Sequence, residues 1–246
     1  IYNCTTSYCD RPRFFQEALW LLLCGCGVGF SVQTHHIAKL PGIAKPGGAN
    51  ATFTVPDTIE GWADALGVLL SSYFSTRQPF PEYAGATVQF DYTQIRPKGR
   101  SISSGMGRAP GPEPLRRSLE MIRGLLDKRL AEGHTRLRSV DAYDILMHAS
   151  DAVLSGGVRR SATICLFSPE DEGMATAKTG NWFTENPQRA RSNNSAVLLR
   201  NQTPREQFTK LMKSVKEFGE PGFVWTDHLD MTFNPCGEIG LYPQID

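Results

Sequence analysis

The chain has 246 residues, of which 40% are hydrophobic and 21% charged, and its formal net charge is +1. This composition is typical of a soluble globular protein, and the small charge gives no electrostatic reason to expect nucleic acid or a membrane surface as a partner. The longest nearly apolar run, residues 18–26, is far shorter than the roughly 20 residues that span a bilayer.

The six cysteines indicate the type of compartment. The chain is too long and too rich in core residues for a disulfide scaffold, and no Cys/His pattern completes four zinc ligands. We therefore predict a reducing, cytoplasmic location, no metal site, and one or two catalytic thiols. Cys165, inside an apolar run, is expected to be inert core.

The first predicted elements are a helix over residues 14–23 and a strand over 30–33. Between them, residues 24–30 read Cys-Gly-Cys-Gly-Val-Gly-Phe. This run lacks the glycine spacing of a dinucleotide fingerprint, and no Walker lysine follows it. Because alternate glycines allow close backbone approach, we expect tight strand packing here instead.

The next stretch, residues 41–56, is rich in glycine, proline and alanine and predicts a loop. A capping-box pattern at 57–60 opens an amphipathic helix. A second loop is predicted over 75–86, and an alternating strand over 88–92.

Residues 96–112 are basic and rich in hydroxyls and glycine, and they include Lys98, Arg100 and Arg108. Cations among free backbone N–H groups suit the binding of an anion or a phosphate. On the residues alone, a solvated loop is an equally good interpretation. A helix with a clean apolar stripe follows, with Pro114 in its first turn.

A helix over residues 139–154 ends in a second candidate anion-binding segment, which contains Gly156, Gly157, Arg159 and Arg160. A glycine pair lets the backbone approach a phosphate, and arginine forks match its oxygens. The alternative is a helix that simply stops at glycine and carries surface arginines.

The rest of the chain alternates strands and helices. Strands are predicted at 162–167, 196–199 and 223–226, and a helix from a capping box at 203–206 to Gly219. Such alternation of apolar strands with helices is typical of an α/β fold with much parallel pairing. No linker divides the chain.

The segment Asn234-Pro235-Cys236-Gly237-Glu238, within the last thirteen residues, puts an amide, a thiol and a carboxylate at alternate positions. If the segment is extended, these three side chains share one face. Pro235 argues against a helix interior or a central strand, so we predict a shaped loop that presents chemistry. The alternative is a structural turn that contains a cysteine.

Five blocks, in the same order, resemble those of the adenosylcobalamin-dependent (class II) ribonucleotide reductases, in the monomeric branch that uses triphosphates. The blocks are residues 2–4 and 25–32 (first barrel strands), 96–99 with 111–115 (first specificity loop), 156–162 (second specificity loop) and 233–239 (active-site loop).

This resemblance implies an α/β fold that is about the first half of a ten-stranded α/β barrel, with a central finger loop. Residues 1–246 would form an internal segment of the catalytic barrel, inactive by itself. A helical insertion at about 42–95 would, as in the monomeric branch, substitute for a dimer interface.

The resemblance also assigns roles. Cys236 would form the transient thiyl radical that abstracts the 3′ hydrogen of the ribose, Glu238 would be the general base, and Asn234 would bind the sugar hydroxyls. Cys4 would be one of two reducing thiols; we prefer it to Cys9 because it lies in Tyr-Asn-Cys. Since no cysteine follows Cys236, the partner thiol is missing from this chain.

The implied reaction is reduction of ribonucleoside triphosphates, or diphosphates, to 2′-deoxyribonucleotides, with adenosylcobalamin as cofactor and a dithiol or thioredoxin-type protein as reductant. Lys98, Arg100 and Arg108 would border an ATP or deoxynucleotide effector, and Arg159 and Arg160 would lie on the loop that communicates between effector and substrate. The full-length enzyme would be a monomer. Three alternatives stay open: a large subunit of a metal-radical class, a regulatory or inactive split subunit that binds nucleotides, and a structural α/β domain.

Overall fold

The computed structural model describes residues 3–101, 108–154 and 162–242. Its strands are β1 (Cys4–Tyr8), β2 (Gly27–Ser31), β3 (Asn50–Thr54), β4 (Thr87–Asp91), β5 (Thr163–Phe167), β6 (Ser192–Leu199), β7 (Gly222–Thr226), β8 (Thr232–Phe233) and β9 (Gly240–Leu241). Its helices are α1 (Arg13–Leu23), α2 (Thr34–Ile37), α3 (Ile59–Tyr73), α4 (Glu113–Ala131), α5 (Ser139–Leu154), α6 (Glu172–Ala175), α7 (Trp182–Glu185) and α8 (Arg205–Phe218). No helix in these ranges has the length and apolar character needed to cross a membrane.

A parallel sheet of five strands, in the order β1-β2-β5-β6-β7, organises the chain. Helix α1 connects β1 to β2, and α8 connects β6 to β7. Parallel neighbouring strands require such crossover connections, because a tight turn reverses the chain and can join only antiparallel strands. The predicted α/β fold with parallel pairing is confirmed.

The outer face of the sheet carries the main core, which α1 and α5 cover. Phe30 of β2 lies 5.9 Å from the Phe14 ring of α1 and 6.5 Å from the Tyr143 ring of α5. Cys165, the β5 neighbour of Phe30, is fully buried, and burial raises the pKa of its thiol. It is therefore a core residue, as predicted.

The inner face is lined differently. Gly27 and Gly29 of β2 pair there with Cys4 and Thr6 of β1. Further along the sheet is a small apolar cluster on this face, formed by Ile164, Leu166 and Val197, with Val224 and Phe233 packed against it. Because Phe233 belongs to β8, the hairpin of β8 and β9 lies against the inner face.

Residues 41–56 do not form the continuous loop that the sequence predicts, because they contain β3, which pairs in parallel with β4. Helix α3 connects the two strands, and its N-cap is Thr58, whose hydroxyl accepts a hydrogen bond from Gly61 N at 2.9 Å. The high content of glycine and proline before Asn50 concealed this short, half-exposed strand.

Two other strand boundaries differ from prediction. β2 begins at Gly27 rather than at residue 30, and β6 begins at Ser192 rather than at residue 196. The segment added to β2 has two glycines around Val28, and the segment added to β6 is Ser-Asn-Asn-Ser; glycine and asparagine have low intrinsic strand preference. Tertiary contacts hold them, including a 3.4 Å hydrogen bond from Asn194 N to the Glu220 carboxylate.

Gly29→Ala tests the packing of the hairpin on β2. A Cβ at Gly29 would overlap the carbonyl oxygen of Phe233, whereas a Cβ at Gly47 would meet nothing within 4 Å. We expect Gly29→Ala to destabilise the fold by about 1–3 kcal/mol, as overpacking does, and to speed amide hydrogen exchange in residues 231–241. Gly47→Ala is the control and should change stability by less than about 0.5 kcal/mol. Unchanged exchange in Gly29→Ala would contradict the packing described here.

Candidate active site

The hairpin brings the Asn-Pro-Cys-Gly-Glu motif to the inner face of the sheet. Strands β8 and β9 pair antiparallel, with Phe233 opposite Gly240. Phe233 packs on the apolar cluster of the inner face, and its carbonyl lies against Gly29. The motif therefore follows directly from a strand that is anchored at both its side chain and its backbone.

The motif forms a turn. Gly237 N donates to Asn234 O at 2.9 Å, Asn234 N donates to Ile239 O at 3.3 Å, and Gly237 has a φ of +76°. The predicted loop around Pro235 is confirmed, but the extended conformation is wrong. Because the chain reverses here, a period of two does not place Asn234, Cys236 and Glu238 on one face.

Asn234 is the buried member of the motif, with 4% of its surface exposed. Its Oδ1 accepts a hydrogen bond from Ile239 N at 2.9 Å, which fixes the orientation of the amide. Its Nδ2 is buried and has no hydrogen-bond partner among the described residues. An unpaired buried donor costs about 1–3 kcal/mol, so this group is a candidate for binding a ligand oxygen.

Cys236 and Glu238 are both exposed. Cys236 lies in the turn itself, and Glu238 follows Gly237. A thiol and a carboxylate four residues or fewer from a buried amide donor are accessible to a molecule bound over the inner face. The turn thus separates a buried hydrogen-bonding group from two accessible reactive groups.

Cys4 meets this turn from the other end of the chain. It pairs with Gly27, and its Sγ lies 3.2 Å from the position a Cβ on Gly27 would take. Pro235 Cγ lies 3.0 Å from the same position. Cys9, by contrast, is fully buried in the outer core, and burial raises the pKa of its thiol. The geometry therefore favours Cys4 over Cys9 as a thiol that acts beside the motif.

Thr6 is a site residue that the sequence reasoning missed. Its Oγ1 is buried without a hydrogen-bond partner in the described part of the chain, and it lies 3.2 Å from the position of a Cβ on Gly29. The signal was available: Thr6 is two residues after Cys4, so in a strand both point to the same face.

A histidine–aspartate cluster, formed by His35, His36 and Asp230, was also missed. His35 Nε2 and His36 Nε2 lie 2.7 Å and 2.9 Å from Asp230 Oδ1. Burial, and then the neighbouring His35, lowers the pKa of His36 to about 4. Hydrogen bonds from the histidines lower the pKa of Asp230, although burial opposes them. Only the chain fold brings these residues together, because 194 positions separate His36 from Asp230.

The predicted anion-binding residues divide into two groups. Lys98, Arg100 and Arg108 are exposed, and the segments that carry them meet where Ala109 N donates to Arg100 O at 2.7 Å. Within the described ranges, neither Lys98 nor Arg100 forms an ion pair, so both charges are available to a ligand. The second group, Gly156, Gly157, Arg159 and Arg160, lies outside the described residues.

The depressed pKa of His36 predicts a pH effect on stability. A neutral, buried imidazole stabilises the fold fully above its unfolded pKa of about 6.5, and this contribution is lost as the pH falls towards 4. We expect wild type to lose roughly 2–3 kcal/mol more than His36→Gln between pH 7 and pH 4.5, measured by denaturant unfolding. His134→Gln, at an exposed position, controls for loss of a histidine and should parallel wild type. Equal losses in wild type and His36→Gln would contradict the burial of a neutral His36.

Comparison with known proteins gives a consistent family. Residues 42–126 match the family model described as "B12-dependent ribonucleotide reductase, insertion domain". The adenosylcobalamin-dependent ribonucleoside-triphosphate reductase of Lacticaseibacillus paracasei is 31% identical over 89% of this chain and 35% of its own length. A probable reductase of the same name in Dictyostelium discoideum is 33% identical over 72% of this chain and 22% of its own length.

The fold agrees with a solved structure. The crystal structure of a B12-dependent (class II) ribonucleotide reductase superimposes with a TM-score of 0.82, at 23% identity, over 98% of this chain and 41% of that chain. The chain thus spans about a third of the length of the L. paracasei relative. Over most of its length the chain is therefore similar to part of the adenosylcobalamin-dependent ribonucleotide reductases.

Proposed function

We propose that the polypeptide containing this chain reduces ribonucleotides to 2′-deoxyribonucleotides, with ribonucleoside triphosphates as substrates and adenosylcobalamin as cofactor. The observation that carries the proposal is the meeting of Cys4 with Pro235 over Gly27, which puts a reducing thiol beside the turn that contains Cys236. The names of the relatives, which specify this substrate and this cofactor, support it.

The chain supplies about the first half of a ten-stranded barrel in this proposal. Strand β7 is at one edge of the described five-stranded parallel sheet, and its Phe223 and Trp225 are 37% and 39% exposed. Such an edge with large apolar side chains is typical of a surface that further structure covers. The helical insertion at about 42–95 is part of the same proposal; β3, α3 and β4 lie within it.

Cys236 is the proposed radical residue. Its sulfur, as a thiyl radical, takes the hydrogen atom from C3′, so that an S–H bond forms and the C3′–H bond breaks. Glu238 accepts the proton of the 3′-hydroxyl, and the 2′-hydroxyl takes the proton of the Cys4 thiol and leaves as water. A second thiol outside this chain gives a hydrogen atom to C2′, and the two sulfurs form a disulfide as their remaining electron passes to the 3′-ketone. The 3′-oxygen takes its proton back from Glu238, and Cys236 returns its hydrogen atom to C3′. The exposure of both motif side chains supports these roles.

Asn234 is proposed to bind the sugar. Its Oδ1 is already engaged by Ile239 N, so Nδ2 is the group available to a ribose hydroxyl. A buried donor that lacks a partner within the described residues favours a ligand that brings an oxygen to it.

Adenosylcobalamin supplies, when bound, the radical chemistry that protein side chains do not readily start. The exposed thiol of Cys236 would be the group that this chemistry converts to a radical. The residues that hold the cofactor are proposed to lie beyond the described part of this chain.

Regulation by nucleotides is proposed for the basic loops. Lys98, Arg100 and Arg108 bring cationic charge together where residues 98–101 pair with residues 108–109, which suits the phosphates of ATP or a deoxynucleotide effector. Arg159 and Arg160 are proposed to connect effector and substrate on the second loop. A dithiol or thioredoxin-type protein would restore the reduced thiols, and the full-length enzyme would act as a monomer.

Cys236→Ser in the full-length polypeptide tests the radical assignment. With adenosylcobalamin, a ribonucleoside triphosphate and a dithiol, we expect deoxynucleotide formation to fall by at least about 10³-fold, because a hydroxyl does not form the radical under these conditions. Chromatographic measurement of deoxynucleotide gives the rate. Cys24→Ser, which changes another exposed cysteine at the end of α1, should retain activity.

Two outcomes would contradict the proposal. Deoxynucleotide formation that survives Cys236→Ser would overturn the assignment of the thiyl radical. A wild-type polypeptide that binds nucleotide but forms no deoxynucleotide with this cofactor would favour a regulatory subunit, or a metal-radical class if a metal-containing partner restores activity.

A further inference from the structure

The loop between β7 and β8 is tied to the ends of β1 and β2. Tyr8, the last residue of β1, donates its hydroxyl to Asp230 O at 2.6 Å. Gln33, two residues after β2, donates its Nε2 to Leu229 O at 2.7 Å. This loop precedes β8, so its position determines where the Asn-Pro-Cys motif begins.

The hydrogen bonds around Ser31 fix the tautomer of His36. Gln33 Nε2 and Gln33 N both donate to Ser31 Oγ, at 3.0 Å and 3.2 Å. Since both lone pairs of this oxygen are then used, the Ser31 hydroxyl hydrogen is donated to His36 Nδ1 at 2.9 Å. The proton of a neutral His36 consequently lies on Nε2, which donates to Asp230 Oδ1 at 2.9 Å.

His36 is built to stay neutral. It is 1% exposed, and its ring lies 4.3 Å from the Tyr8 ring. Burial, His35 and the nearby Lys39 lower its pKa, and Asp230 only partly opposes them. The direction of the hydrogen bond to Asp230 is thus the same throughout the physiological pH range.

The same three residues offer ligand atoms that lie within 4.8 Å of one another, which also suggests a metal site. A metal would need the Nε2 lone pair of His36 and hence a proton on Nδ1. Ser31 Oγ would then have to accept a third hydrogen bond while its own hydrogen lost its acceptor. The hydrogen-bond network therefore favours a direct hydrogen bond between His36 and Asp230 of the same chain over a shared metal ion.

We propose that His36 is a positioning residue for the reductase reaction: its Nε2–H, bonded to Asp230, holds the base of the loop from which the turn of Asn234 and Cys236 projects. Asp230 is two residues before β8 and four before Asn234. Without this hydrogen bond, the turn is no longer held at a fixed position relative to Cys4. The catalytic part of this inference rests on the proposed function, whereas the anchoring part does not.

The test compares substitutions in the full-length polypeptide. His36→Leu removes the donor and His36→Gln keeps an N–H near the position of Nε2. Asp227→Ala is the matched control, because this aspartate lies in the same loop and pairs only at the surface with Arg200, at 3.2 Å. We expect His36→Leu to lower kcat about 10- to 100-fold, as misplaced reacting groups do, with KM for nucleotide within about twofold of wild type. His36→Gln should recover most of kcat, and Asp227→Ala should match wild type.

Hydrogen exchange distinguishes an anchor from general stability. His36→Leu should speed exchange in residues 231–241 while β5 and β6 stay protected, and Asp227→Ala should change neither. If β5 and β6 also exchange faster in His36→Leu, Asp230→Ala replaces that variant in the test. The Asp230 side chain is 47% exposed, so its removal leaves the core intact. Asp230→Ala should then reproduce both the local exchange and the lower kcat.

Three results would overturn the proposal. One is hydrogen exchange in residues 231–241 that proceeds at the wild-type rate in both His36→Leu and Asp230→Ala. Another is a lower kcat that His36→Gln does not recover. The third is a stoichiometric divalent metal in the purified wild type, by elemental analysis, that Asp230→Ala lacks. If wild type itself has no reductase activity, the proposed function fails, but the exchange measurement still decides whether the anchor exists.

Discussion

The site depends on Gly27 and Gly29, two residues that have no side chain. A methyl group at Gly29 would overlap Phe233 O, and one at Gly27 would crowd both Pro235 and Cys4. Only a strand with a bare backbone on its inner face lets the hairpin come this close. The outer face of the same strand carries Phe30 in the main core, so one short strand both stabilises the sheet and seats the motif.

Unpaired polar atoms collect where the hairpin meets the sheet. Thr6 Oγ1, Gln33 Oε1 and Asn234 Nδ2 are buried on described residues without a partner. Two further atoms of this kind, Gln16 Oε1 and Asn194 Oδ1, lie elsewhere, on α1 and β6. Unsatisfied groups cost stability, and the three beside the hairpin are available to a polar ligand bound there.

Sequence patterns predicted the elements whose cause is local. Helix α5 was placed at its observed bounds, and Gly219 ends α8 in a left-handed conformation, because periodicity and capping act within a few residues. The conformation of the motif was not predictable in this way. Its turn depends on a hydrogen bond from Ile239 to Asn234 and on the packing of Phe233 against β5 and β6. The histidine–aspartate cluster was equally inaccessible, since no local pattern relates His36 to Asp230.

The bond between Tyr8 and Asp230 joins residues 222 positions apart, and it bears on how the site is made during synthesis. Ribosomes add about 5–20 residues per second, so β1 emerges at least several seconds before the loop that it holds. During that interval Cys4 has its strand neighbours but not the turn. Contacts of such high sequence separation also form late in folding, because the entropy of closing the intervening chain must be overcome first. The turn that contains Cys236 can therefore meet Cys4 only after the intervening strands and helices have been synthesised.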